Sequence, residues 1–209
     1  MMLADNIQKI LTNMANARNR GTYSAESVRL LAVSKTHPVE IVRQAYEAGL
    51  RCFGENRVME MISKASKLPD DIEWHLIGHL QRNKVKEAVQ VAAYVHSIDS
   101  LELLKRVNDV AAASAKCPKL LLEVNISGEE SKFGFVPEQV ENALMAGKDW
   151  HCPIIGLMTM APFGASENEL HRIFGALRQL RDELSVKIGL PLPELSMGMS
   201  GDFEGAIEE

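Results

Sequence analysis

From Val28 onward the chain alternates short runs of β-branched and leucine residues with longer stretches whose apolar positions recur every three or four residues. The runs read as strands and the stretches as amphipathic helices. The first pair is VRLLAVS at 28–34 followed by PVEIVRQAYEAG at 38–49, where Val39, Val42 and Tyr46 share one helical face and Gly49 closes the helix. The unit recurs as strand 52–55 with helix 57–67, strand 73–78 with helix 83–91, strand 94–98 with helix 100–113, and strand 119–125 with helix 137–146. Strand 153–160 with a helix over 167–187, and strand 194–197 with a short helix from 202 onward, complete the series. Near the start of the chain, Leu3, Ile7, Ile10, Leu11 and Met14 fall at helical spacing and predict one further helix. Two helix starts carry a capping-box pattern, Asp99 with Glu102 and Ser166 with Glu169.

Alternating strands and helices imply an α/β fold with a parallel sheet and right-handed crossovers. Units of this kind, preceded by an extra helix, fit a closed TIM-type (β/α) barrel better than an open doubly wound sheet, which periodicity leaves as the alternative. No low-complexity linker or shift in composition divides residues 1–209, so one domain is expected. The eighth strand of such a barrel is missing from the pattern, so the barrel is expected to be open at one seam, and an exposed seam tends to recruit a partner strand.

Composition narrows the function. The 23 basic against 28 acidic residues give a formal net charge of -5, so no overall positive field attracts nucleic acid or an anionic membrane. A phosphate group can still bind through local geometry. Cys52, Cys117 and Cys152 are widely spaced, with no Cys-x-x-Cys pair and no metal-ligand spacing to a histidine, and they read as reduced, mostly buried thiols. The N-terminal stretch lacks the apolar core of a signal peptide, and no run approaches the roughly 20 apolar residues that cross a bilayer. A cytoplasmic protein is expected.

In parallel βα folds, functional groups project from the C-terminal ends of strands. Lys35 follows the first apolar run, in AVSKTH, where hydrophobic surroundings would lower its pKa enough to attack an aldehyde. The alternative is a solvated lysine in a strand-to-helix loop. FGENR places Asn56 and Arg57 on the same rim, and LIGHLQRNK adds His79, Gln81, Asn83 and Lys84. Asn56 and Asn83 read equally well as helix N-caps. The loop ISGEESKFGF carries Lys132, which either reaches an anionic ligand or lies in solvent. In LSMGMSGDFEGAIEE, Ser196, Gly198, Ser200 and Gly201 sit between a strand and a helix, a combination of small side chains, exposed amides and hydroxyls that can cradle phosphate. Asp202 argues against an anion there, and a plain turn with a serine cap is the alternative. A lysine after the first strand and a phosphate cradle after the seventh lie on one rim. A ligand bearing both an aldehyde and a phosphate, such as pyridoxal 5′-phosphate, would bridge them.

The strings AVSKTHP, FGENRVME, WHLIGHLQRNK, EVNISGEESKFGF, IIGLMTMAP and LSMGMSGDFEGAI resemble, in collinear order, the motifs of the pyridoxal phosphate homeostasis protein family. The fold of that family is similar to the N-terminal barrel of alanine racemase. The resemblance implies that Lys35 carries the cofactor as a Schiff base and that Asn56 lies near it. It also implies that Ser196, Gly198, Met199 and Ser200 form the phosphate-binding loop, and that Met158 and Thr159 line the floor. One departure is that family members continue into a last strand with an Arg-x-Gly-Thr motif, which this chain lacks; the loss of its contacts is expected to weaken cofactor affinity.

Racemisation needs a base on each face of the amino-acid Cα, and alanine-racemase-like enzymes take a tyrosine from a second, β-rich domain. Tyr23 lies ahead of the first strand, Tyr46 inside a helix and Tyr94 at the beginning of a strand, so none is predicted on the rim. The family's implied role is therefore the binding of pyridoxal phosphate and its delivery to apo-enzymes, by a monomer without strong catalytic activity. The alternatives are a low-activity racemase dependent on the cofactor, or a cofactor-free aldolase using Lys35.

Overall fold

The computed structural model describes residues 3–21, 28–114, 116–129 and 132–209. Helix α1 (Leu3–Arg20) precedes β1 (Ala32–Val33), α2 (Val39–Glu47), β2 (Cys52–Glu55), α3 (Val58–Ala65) and β3 (Glu73–Leu76). A 3-10 turn (Arg82–Lys84) leads into α4 (Val85–Val91), then β4 (Tyr94–Ile98), α5 (Leu101–Ala112), β5 (Lys119–Glu123) and α6 (Pro137–Gly147). The chain continues through β6 (Ile154–Met158), α7 (Glu167–Ile188), β7 (Glu194–Ser196) and α8 (Phe203–Glu208). The strands form one parallel sheet in sequential order β1 to β7. This is the TIM-type (β/α) arrangement that the alternating pattern predicted.

The sheet curls. His96 on β4 reaches Ser196 on β7 at 2.7 Å, and Arg29, ahead of β1, bonds both Glu73 on β3 and Glu194 on β7. Strands so far apart in sheet order touch only if the sheet wraps around an interior. Period-two alternation then sorts the side chains. Phe53, Trp74, Leu76, Val95, Leu120, Leu122 and Leu157 belong to the core beneath the helices, whereas Tyr94, Leu121 and Met158 form a separate cluster inside the curl.

The strand predicted over 28–34 is shorter than expected. Only Ala32 and Val33 pair in register, with Phe53 and Gly54, because β1 is an edge with one neighbour and Arg29 turns toward the acidic groups inside. Helix α2 closes at Gly49, whose φ of 102° few side chains tolerate and whose amide bonds the Tyr46 carbonyl. Ser166 caps α7 as its pattern predicts, but α5 is capped by Ser100, whose hydroxyl accepts from the Leu103 amide. Asp99, the residue expected to cap, bonds the Ser100 hydroxyl and pairs with His79 instead. Asn56 and Asn83 are not caps either: the N-cap positions of α3 and α4 are Arg57 and Lys84. Tyr23 lies outside the described residues.

Candidate functional site

Lys35 stands exposed on the turn between β1 and α2, without the apolar enclosure the sequence suggested. What is unusual is its backbone. The next residue, Thr36, has φ 66°, a left-handed conformation that is strained for a β-branched side chain. Two buried or half-buried groups on α3 hold it there. Glu60 accepts the Thr36 amide at 2.8 Å, and Lys64 donates to the Ser34 carbonyl at 2.7 Å. Lys64 is itself buried and also bonds Glu55 and Glu60, while the Ser34 hydroxyl donates to Glu55 at 2.6 Å. The backbone is thus pinned on both sides of Lys35. The hydrogen bond from Lys64, the largest influence, aided by that from the Thr36 amide, holds the Glu60 carboxyl below its usual range against the opposing effect of burial.

At the other edge of the sheet, Ser196 ends β7 and its hydroxyl bonds His96 Nδ1 at 2.7 Å. His96 Nε2 lies 2.8 Å from His75 Nδ1, and His75 Nε2 lies 3.1 Å from Glu73. Burial pushes the His96 pKa down to about 3, with His75 adding to the effect. Burial also lowers His75, against the pull of Glu73. After Ser196, Gly198 turns the chain at φ 86°, and a Cβ there would lie 2.9 Å from both Ala206 Cβ and Phe203 Cα. Met199 and Ser200 are exposed. The Met199 amide is already committed to the Asp202 carboxylate, so one expected phosphate donor is occupied by the acid that the sequence flagged. Ser200 and Gly201 line a cavity of about 290 Å³ with Arg20, His171 and Glu204.

Between these two edges lie the other predicted residues. Asn56 is exposed at the end of β2, and its backbone packs so tightly on Gly78 that a Cβ there would meet the Asn56 carbonyl at 2.4 Å. Met158 is buried in a cluster with Tyr94 and Leu121. Thr159 is buried too, but its hydroxyl donates to the Val124 carbonyl and so fastens β6 to β5. His79, Gln81 and Asn83 do converge, lining a cavity of about 480 Å³ with Arg82, Asp99 and Ser100, and Phe133 stacks on the His79 ring. Lys132 lies 3.8 Å from Glu129.

Several groups escaped the reading of the sequence. Glu123 ends β5 buried, and burial with the charge of Asp99 raises its pKa to about 7 despite Lys132. Glu55, Lys64, His75 and His96 are buried as well. The signal was available in part, since Trp-His-Leu and Val-His-Ser place a histidine at an alternate position inside apolar strands. Cys52, Glu73 and His75 come within 4.8 Å of one another, a grouping the sequence spacing concealed, and the Arg29 guanidinium already holds the carboxylate. Of the cysteines, Cys152 is buried and Cys52 half-buried, but Cys117 is exposed, contrary to expectation.

Comparison with known proteins places this geometry in context. Residues 6–208 match the alanine racemase N-terminal domain. The pyridoxal phosphate homeostasis protein of Aquifex aeolicus is 38% identical over the whole chain and 92% of its own length. The human protein of the same name is 39% identical over 93% of this chain and 76% of its own. PipY of Synechococcus elongatus, solved with PLP bound, superposes with a TM-score of 0.83 at 38% identity, covering 94% of this chain and 92% of PipY. Its form without PLP gives 0.84 at 39% identity over the same shares. Alanine racemase of Clostridium difficile gives 0.75 at 14% identity over 95% of this chain and 51% of its own, which shows the fold alone.

Proposed function

The chain belongs to the alanine racemase N-terminal domain family and, within it, to the pyridoxal phosphate homeostasis proteins, and from that premise we propose that it binds pyridoxal 5′-phosphate as a non-catalytic carrier. The observation that carries the proposal is the Lys35 turn. An exposed amine sits beside a strained Thr36, and Glu60, Lys64 and Glu55 fix the backbone on either side of it. Strain held by a buried network is characteristic of a functional site.

The exposed amine of Lys35 and the tight Gly198 turn after β7 suit a ligand with an aldehyde and a phosphate. Lys35 would hold its aldehyde carbon as a Schiff base; Ser196, Gly198 and Ser200 would take the phosphate; Asn56, Met158 and Thr159 would border the ring. When bound, the cofactor supplies an electron sink for amines. This chain's own contribution is to orient an amine and keep a reactive aldehyde from others. Tyr46 bonds Asp71 ahead of β3 and Tyr94 opens β4, both at the N-terminal end of the strands. Among the described residues no tyrosine therefore reaches the rim as the second base of a racemase. The carrier reading extends to a cytoplasmic monomer that hands the cofactor to apo-enzymes.

The test is the visible spectrum of the protein after incubation with pyridoxal 5′-phosphate, followed by borohydride reduction and peptide mapping. A bound-cofactor band that reduction fixes on Lys35, and that Lys35→Ala abolishes, is the expected result. A band unchanged in Lys35→Ala, or no band in the parent protein, overturns it.

A further inference from the structure

We propose that the Glu73–His75–His96–Ser196 chain, buried at its two histidines, is a proton relay in which His96 positions the Ser196 hydroxyl hydrogen, so that a ligand's phosphate dianion is bound together with one proton. The inference rests on the reading of Ser196 as a phosphate ligand.

It follows from counting hydrogens along the chain of bonds. Burial opposes ionisation of Glu73, but its bonds and charge contacts with His75, Cys52 and Arg29 outweigh this, and the carboxyl is held below its usual range. An ionised carboxylate only accepts, so His75 Nε2 must donate to it at 3.1 Å. A neutral His75 then has only an acceptor left at Nδ1. His96 Nε2, 2.8 Å away, must donate there, which leaves His96 Nδ1 as an acceptor. The Ser196 hydroxyl, 2.7 Å from that nitrogen, is therefore obliged to donate inward. In this state the serine turns only lone pairs toward the rim, and a phosphate dianion, itself acceptor-only, is repelled.

Reversing the chain removes the conflict. If Ser196 donates to phosphate, its oxygen accepts from His96 Nδ1–H, His96 Nε2 accepts from His75 Nδ1–H, and His75 still donates to Glu73. His75 then carries hydrogens on both nitrogens and is an imidazolium. The balance is one proton gained from solvent, located on His75 and paired with Glu73. The surroundings of His75 are mixed. Burial is the largest influence and opposes the imidazolium, as does Arg29, whereas Glu73 and Glu194 favour it; Tyr94 stacks on the ring at 4.2 Å, Cys52 shares the Glu73 carboxylate, and Lys119 reaches the Tyr94 hydroxyl at 3.0 Å. A phosphate dianion on Ser196 adds the charge that favours proton uptake.

The experiment uses pyridoxine 5′-phosphate, which has the phosphate but no aldehyde and so leaves Lys35 chemistry aside. Titration calorimetry at about pH 7 in buffers of different ionisation heat measures the protons exchanged, and affinity should fall about tenfold per pH unit where uptake is about one proton. Nitrogen NMR of the wild-type protein should show His75 becoming an imidazolium on binding. His96→Gln should bind more weakly and take up no proton. Binding without proton uptake, or a proton found by phosphorus NMR on the ligand rather than on His75, overturns the relay and leaves the carrier function standing. If the wild-type protein binds pyridoxal 5′-phosphate through Lys35 but not pyridoxine 5′-phosphate, the relay falls with the phosphate assignment alone. The wild-type calorimetry and NMR decide the matter even if His96→Gln does not fold.

Discussion

At the scale of single residues, the site depends on side chains that the sequence presents as ordinary. Lys64 lies in the last turn of α3 and is 4% exposed, and its ammonium binds Glu55, Glu60 and the Ser34 carbonyl. Removing one partner of a buried pair leaves the other charge uncompensated, at a cost of about 3–5 kcal/mol. Lys64→Met should therefore lower unfolding stability by about that much in urea titrations. Adding Glu55→Gln should recover part of the loss, because the stranded carboxylate is then gone. If the double variant is as unstable as the sum of the two single ones, the pair does not act as a unit. Lys35 itself shows the converse: its place at the end of a strand was legible, but its environment is exposed, and its order comes from backbone neighbours rather than from apolar enclosure.

At the scale of elements, the turn between β7 and α8 shows how a glycine fixes a site. Gly198 adopts φ 86°, and the space where a Cβ would go is taken by Ala206 and Phe203 of the following helix. Both features exclude a side chain: the conformation is strained by about 1–2 kcal/mol for an L-residue, and α8 would have to shift. Gly198→Ala is expected to weaken pyridoxal 5′-phosphate binding and lower the melting temperature. A Gly198→Ala protein that keeps both wild-type melting and affinity would remove this turn from the site. The position of the turn was legible from its small residues. The occupation of the Met199 amide by Asp202 was not, because it requires the chain to fold back over three residues in one specific conformation.

At the scale of the whole molecule, the helical layer closes where the strand layer has two edges. Helix α1 packs on α8, with Arg20 paired to Glu204 and Glu208, so the helix before β1 and the helix after β7 meet. The wrapped sheet encloses Glu123, and this enclosure should show in global stability. Its folded pKa, about 7, exceeds the ordinary 4.5. The folded state therefore holds the proton more tightly, its advantage is complete below about pH 4.5, and it is lost as pH rises through about 7. Because buried histidines contribute with the opposite sign at low pH, the wild type should be compared with Glu123→Gln. The variant should gain, relative to the wild type, on the order of 3 kcal/mol between pH 4.5 and 8 in chemical denaturation. A difference independent of pH would show that Glu123 titrates normally. Taken together, periodicity by itself determined the order and number of the elements, because the spacing of apolar residues reports which face each element buries. Lys35 and the Ser196–Gly198 turn were legible for a related reason: a lysine and small residues just past apolar runs must lie at strand ends. Only the tertiary structure decided that His75, His96 and Ser196 form one chain and that Lys64 serves Lys35's turn. Those contacts join residues up to 100 positions apart, and the link from His96 to Ser196 exists only once the sheet has curled.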